Sequence, residues 1–395
     1  MKRFSLWLLM LWAVALPAQS VGNSLPAWQQ GYLDIHFIQT GYGDAALLVF
    51  PDGTSLQVDA GGGAPAGTWR GVDAKPDASR PAGEWLARYA KRVLPKGGEA
   101  VIDYAYLTHL HDDHMASYPE LAKHVRIKKI IDRGWPDYEY PVEAREDSTA
   151  SDYIQFVKDG VAAGKFTAEK LKPGRRDQIT LQRDAKAFSN FEVRNIAANG
   201  EVWTGVAENT RRHFPENYRQ LPRESWPNEN QCSAAIRISY GAFDFFTGGD
   251  MPGTPKPWAP AWHDIETPVA KAVGPVEVAA VNHHGNRDAA NSFFVSALRP
   301  KVWVMQVWSS DHPGHDVLER LLAKQLYPDD RLVLATGMAQ SNREVIGAMI
   351  DQLASADGHI VVRVQPGGAK YEAIVLDASD ESMRVKQVFG PFESR

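Results

Sequence analysis

The chain has 395 residues, is 44% hydrophobic and carries a formal charge of -5 at pH 7. Its Lys and Arg are scattered rather than blocked, which gives no general attraction to nucleic acid and argues against a dedicated DNA-binding role. The single cysteine, Cys232, excludes an intramolecular disulfide, so stability must come from a hydrophobic core, for which the length is ample.

The first twenty residues read as a secretory signal. Met1-Lys-Arg3 supplies positive charge, Phe4 to Leu16 an apolar stretch, and Pro17-Ala-Gln-Ser20 a small-residue exit. The apolar stretch is short for a bilayer span. Cleavage after Ala18 or Ser20 would release a periplasmic or secreted protein without a transmembrane domain, the alternative being a retained N-terminal anchor.

From residue 25 onward one domain is expected to run to residue 395. Leu33–Ile38 and Ala45–Phe50 read as strands split by Gly41-Tyr-Gly43-Asp44, and Ser55–Asp59 as a third strand after the Pro51-Asp-Gly53 turn. Such a meander predicts an antiparallel layer. Trp85–Val93 has helical spacing, and Val101–Leu107 returns to strand. Between about Asp132 and Asn230 periodicity fades, apart from a helix over Ser151–Ala163, and this segment reads as an insertion over a site. Ser233–Ser239 and Ala242–Phe246 form a hairpin ending in Thr247-Gly-Gly-Asp250. Strands then alternate with helices: strand Val276–Val281, helix Ala289–Leu298, strand Lys301–Gln306 and helix Val317–Gln325, giving a second mixed layer. A last strand pair, His359–Val364 and Tyr371–Leu376, turns at Pro366-Gly-Gly368, and no internal repeat is evident.

Three strand ends carry the chemistry. His109-Leu-His111-Asp-Asp113-His114 packs five metal-ligand types into six residues directly after a strand. Such crowding is costly in a metal-free core and is relieved by a divalent cation. Asp250 and His283-His284-Gly285 end two later strands, and convergence from separate strands is how a metal pocket is built on rigid elements.

These residues resemble the metallo-β-lactamase superfamily, whose His-x-His-x-Asp-His signature is matched at 109 to 114. Thr247-Gly-Gly-Asp250, His283-His284-Gly285, Gly41-Tyr-Gly43-Asp44-Ala45, Val58-Asp59-Ala-Gly61 and Asp311-His312-Pro313 are similar to the branch holding the hydrolase domain of ComEC-type competence proteins and the phosphorylcholine esterases. The resemblance implies an α/β fold, an αββα sandwich of two mixed β-sheets flanked by helices, with two zinc ions at one edge. It further implies that His109 and His111 hold the first ion, Asp113 and His114 the second, and Asp250 both. His284 is the favoured further ligand of the second, with His283 the alternative or a substrate-facing donor. Asp113, Asp250 and His283 are the candidate catalytic residues, and Asp44, Asp59 and His312 the candidates behind the ligands or against the substrate.

No histidine occupies the position that completes the first site in many superfamily members. Asn230-Gln-Cys232-Ser233 falls there, while His124 and His213 lie elsewhere in the interval. Cys232 reads as a small buried thiol, His36 as a structural imidazole and His315 as a helix-start residue. Trp135-Pro-Asp-Tyr138 and Tyr140 read as loop packing.

Zinc lowers the pKa of its water to about 7, so the implied activity is hydroxide-driven hydrolysis of a small-molecule or ester substrate. A phosphoester, either a phosphodiester or a phosphorylcholine-like group, is the favoured class. Alternatives are a nuclease on extracellular DNA, or a lactone, amide or β-lactam hydrolase, and last a non-enzymatic metal-binding protein. No stable nucleic-acid partner is expected.

Overall fold

Strand β1 (Leu33–Phe37) shows how the layers arise: Leu33, Ile35 and Phe37 enter one apolar core, while Asp34 and His36 face the other way yet are also buried. The sheet is therefore covered on both faces, and its polar residues need internal partners. Arg363 pairs with Asp34 at 2.6 Å, and the Tyr89 hydroxyl lies 3.1 Å from His36 Nδ1. The structural reading of His36 agrees with this placement. A computed structural model describes residues 20–62, 72–143 and 148–395. The expected signal lies outside the described residues except for Ser20.

In chain order, β2 (Ala45–Val49), β3 (Ser55–Ala60), α1 (Ala82–Val93), β4 (Val101–Tyr106), the short α2 (Asp112–Met115), α3 (Tyr118–His124) and β5 (Arg126–Asp132) follow β1. The middle of the chain supplies α4 (Ser148–Ala162), β6 (Thr167–Lys170), β7 (Phe191–Ala198), β8 (Glu201–Trp203), β9 (Thr210–Arg212), β10 (Ala235–Tyr240) and β11 (Phe243–Thr247). Next come α5 (Glu266–Val273), β12 (Val278–Ala280), α6 (Ser292–Leu298), β13 (Val302–Met305), α7 (His315–Leu322), β14 (Leu332–Ala335) and α8 (Gln340–Ile346). Strands β15 (His359–Val364), β16 (Lys370–Leu376) and β17 (Val385–Glu393) close the chain.

One sheet has the order β17-β16-β15-β1-β2-β3-β4-β5-β6 and the other β14-β13-β12-β11-β10-β7-β8-β9. Both are mixed. The first is antiparallel as far as β3 and parallel from β3 to β6. The second is parallel from β14 to β11 and antiparallel from there to β9. Ile35, Leu48, Ile236, Phe245 and Val302 belong to the core between the sheets. Leu86 of α1, Leu121 of α3 and Val157 of α4 cover the outer face of the first sheet. Val269 of α5, Phe294 of α6 and Leu318 of α7 cover that of the second. The αββα sandwich is the architecture observed.

The segment from 132 to 230 is not wholly patternless. It adds β6 to the edge of the first sheet, and β7, with β8 and β9 beyond it, to the second. The alternation of β7 is broken at Asn195, a buried polar residue whose amide donates to Lys172 O at 3.1 Å and to Gln178 Oε1 at 2.8 Å. Tyr138 and Tyr140 pack in loops: the Tyr138 hydroxyl donates to Asp132 at 2.7 Å, and that of Tyr140 accepts from Arg212 at 2.9 Å. Among the described residues no helix is long and apolar enough to cross a membrane.

Candidate metal centre

The carboxyl ends of β3 and β4 in one sheet meet those of β11 and β12 in the other. The run after β4 has left the sheet ladder, so its main-chain N–H groups need other acceptors. Asp59, at the end of β3, takes the N–H of Thr108 at 2.8 Å and the Thr108 hydroxyl at 2.8 Å. Helix α2 then turns Asp113 and His114 inward. It lies so close to the β1–β2 turn that a Cβ on Gly43 would sit 2.0 Å from the Asp113 carbonyl oxygen, and one on Gly61 would sit 1.9 Å from it.

One donor atom each from Asp113, His114, Asp250 and His284 lie within 4.8 Å of one another, and so do those of His109, His111 and Asp250. Asp250 belongs to both groups. Its Oδ1 is 3.1 Å from His114 Nε2, and its Oδ2 is 3.4 Å from His284 Nε2 and 3.6 Å from His109 Nε2. Asp113 Oδ2 is 2.9 Å from His284 Nε2. Despite this proximity, His114 Nε2, His284 Nε2 and Asp250 Oδ1 are buried and, among the described residues, not aligned with any hydrogen-bond partner. Buried polar atoms facing one another in this way fit a cation between them.

The outer nitrogens of both imidazoles are tied down. His114 Nδ1 lies 2.8 Å from Asp59 Oδ2, and His284 Nδ1 lies 2.8 Å from Asp44 Oδ1. A carboxylate on the far nitrogen fixes the ring and its tautomer and leaves Nε2 for a metal. Asp44 and Asp59 therefore sit behind two of the candidate ligands.

Electrostatics favour positive charge here. Burial would raise the Asp250 carboxyl, but the imidazoles of His284, His114, His283 and His109 outweigh it and hold it well below the usual range. Burial would lower His114 and His284, yet Asp250 and the other carboxylates outweigh it and raise both well above an ordinary imidazole. His109, burdened by burial and by His114, is pushed well below. Bound cations would take the place of these protons.

His283 is in neither donor group. Its backbone and that of His284 are left-handed, with φ of 49° and 54°. Within this turn the two rings take different partners, Asp288 for His283 and Asp44 for His284. His283 Nδ1 lies 2.6 Å from Asp288 Oδ1, while its Nε2 lies 3.3 Å from Asn230 Nδ2 and 3.7 Å from Asp250 Oδ2. His312 is also outside both groups. It is buried, its ring lies 4.9 Å from that of His284, and among the described residues neither ring nitrogen has a hydrogen-bond partner. Asp112 accepts the Tyr42 hydroxyl at 2.8 Å. His124 pairs with Glu120, His213 packs beside Phe214, and His315 lies on the surface near Glu319. Cys232 is buried, with its thiol raised by burial.

Sequence reasoning did not identify Asp288, Glu229, Arg133 or Glu266. Glu266 lies fully buried beneath the His283-His284 turn, accepting from Asn282 at 2.9 Å and from the N–H groups of Ala290 and Asn291 at 2.7 Å each. The position of Asp288, five residues after His283, is the one local signal that pointed to any of them.

No family model and no curated protein matches the chain. Solved structures that resemble it include unliganded yeast PDE1, at 11% identity over 82% of this chain and 93% of that one, with a TM-score of 0.41. CmlA, a diiron β-hydroxylase from Streptomyces venezuelae, is 13% identical over 86% of this chain and 55% of its own, with a TM-score of 0.40. ST1585, an archaeal metallo-β-lactamase superfamily protein from Sulfolobus tokodaii, is 12% identical over 58% of this chain and 67% of that one, with a TM-score of 0.26. The chain thus spans about half the length of CmlA. These likenesses are distant.

Proposed function

We propose that the chain is an exported metal-dependent hydrolase that binds two zinc ions and acts on a phosphoester. The observation that carries this reading is the pair of donor groups sharing Asp250, with unpartnered buried nitrogens and a carboxylate oxygen facing one another. His109, His111 and Asp250 would hold one ion, and Asp113, His114, Asp250 and His284 the other. Nitrogen and carboxylate donors of this kind suit zinc. When bound, such ions supply Lewis acidity that activates water at neutral pH and stabilises attacking and leaving oxygens.

The chain's own residues would do the rest. Asp113 and Asp250 bring negative charge that offsets the ions, while Asp44 and Asp59 keep the His284 and His114 rings in place. His283 is braced by Asp288 on Nδ1, and its Nε2 is turned toward the Asp250 side of the cluster. Its side chain is 16% exposed and, although burial opposes it, Asp250 and Asp288 raise the ring above an ordinary imidazole, so as an imidazolium this nitrogen is suited to donate a hydrogen bond to a substrate oxygen and a proton to the leaving group.

The phosphoester preference rests on the resemblance of the Thr-Gly-Gly-Asp and His-His-Gly segments to the phosphorylcholine esterase branch. It is tested with bis-nitrophenyl phosphate, a phosphorylcholine ester, a lactone, a thioester and nitrocefin on zinc-loaded protein. Phosphoester cleavage is expected, and turnover of a non-phosphate member alone overturns it. Export is supported by the charged, apolar and small-residue order of residues 1 to 20. Fractionation with N-terminal sequencing should find the mature chain outside the cytoplasm and starting after Ala18 or Ser20.

A further inference from the structure

The two histidines of the first donor group flank Leu110, whose main-chain N–H has no strand to donate to. It donates instead to Glu229 Oε1 at 2.7 Å. Asp59 does the same for the nearby Thr108, taking its N–H while bracing His114. Glu229 differs in how it is itself held. The Arg133 guanidinium, fully buried, grips it through both oxygens, with Nε at 2.6 Å from Oε1 and a terminal nitrogen against Oε2. The remaining Arg133 nitrogen reaches Tyr140 O at 3.3 Å and Asn199 Oδ1 at 3.4 Å. Arg133 opens the 132–230 segment and Glu229 ends it. The two ends of the segment are therefore fastened to each other, and Glu229 ties them to the peptide N–H between His109 and Leu110. Among the described residues, no hydrogen bond or ion pair joins Glu229 or Arg133 to His114, Asp113 or His284.

We propose that Glu229, held by Arg133, is a positioning residue for the first metal site, so that retention of that ion depends on the 132–230 segment being clamped in place. This rests on the two-metal reading above. The first group is the poorer in protein donors, with three residues against four, so the geometry of its histidine pair weighs heavily on affinity. A residue that orients ligands in this way typically changes metal affinity by about 10–100-fold when removed.

The test is a competition titration of the full chain with zinc against a chromophoric chelator, comparing wild type with Glu229→Gln and with the double variant Arg133→Met/Glu229→Gln. Removing one member of a buried pair strands a charge and can unfold a protein, whereas the double variant leaves none. Wild type is expected to bind two ions. In the variants one ion should weaken at least about tenfold while the other stays within twofold, with a circular dichroism spectrum like that of wild type. Two unchanged affinities in the variants overturn the proposal, and so does equal weakening of both ions. Wild type binding fewer than two ions overturns the two-metal reading itself, and the clamp with it.

Discussion

Asp44 and Asp59 divide the labour at the residue scale: neither belongs to a donor group, yet each holds the far nitrogen of a histidine that does. Asp59→Asn and Asp44→Asn should each weaken zinc at the second site by about 10–100-fold, read by chelator competition, because an amide in the same place no longer fixes the ring with a charge. Unchanged affinity in both would remove them from the site. His283→Ala should behave oppositely, keeping both ions while kcat/KM falls by about 10²–10⁴-fold, the range for loss of a positioned proton donor. Loss of metal instead would make His283 a ligand. The residues of the two donor groups were legible in sequence because they are crowded within six residues or follow strands at glycine-rich exits. Glu229 and Arg133 were not, because they lie 96 residues apart in the chain and Glu229 reaches the site through the Leu110 peptide N–H, which any residue would offer.

Among the elements, the contact between α2 and the turns around β2 and β3 sets the site, and two glycines permit it. Gly43 has φ of 77° and no space for a Cβ against the Asp113 carbonyl, and Gly61 has no space either. Gly61→Ala should cost about 2–4 kcal/mol in urea unfolding and weaken the ion held by Asp113 and His114, since α2 must move to admit the methyl group. A substitution that costs nothing would mean that α2 is free to shift. The sequence pattern located β1 to β4, β10, β11, β15 and β16, where apolar alternation or β-branched runs are strong. It missed β5, whose Lys pair and terminal Asp resemble loop, and β7, where buried Asn195 finds partners only in three dimensions. It also missed β17 at the sheet edge, which carries Gly390 and Pro391 and is largely exposed. Asp34 and His36 alternate with the apolar residues of β1, and the helix layer and Arg363 bury their face as well.

For the whole molecule, the buried Asp34 to Arg363 pair ties the first strand to β15 and gives stability a pH dependence unrelated to the metals. Burial would raise the Asp34 carboxyl, but Arg363, together with His36, outweighs it and holds it down to about 2. A carboxyl depressed in the folded state stabilises fully above its unfolded value of about 3.9 and loses this contribution as the pH falls toward the folded value. About 2–3 kcal/mol should therefore disappear between roughly pH 4 and 2. Urea midpoints of metal-free protein should fall more steeply over that window in wild type than in Asp34→Asn/Arg363→Met, and identical slopes would contradict the assignment. The most direct test of the central claim is the metal content of the purified, zinc-reconstituted chain set beside that of Asp250→Ala. Two ions per wild-type chain, with both lost or weakened at least about tenfold in the variant, are the result predicted for a carboxylate shared by two sites. A wild-type chain that holds no ion, or an Asp250→Ala variant that keeps both at full affinity, would contradict it.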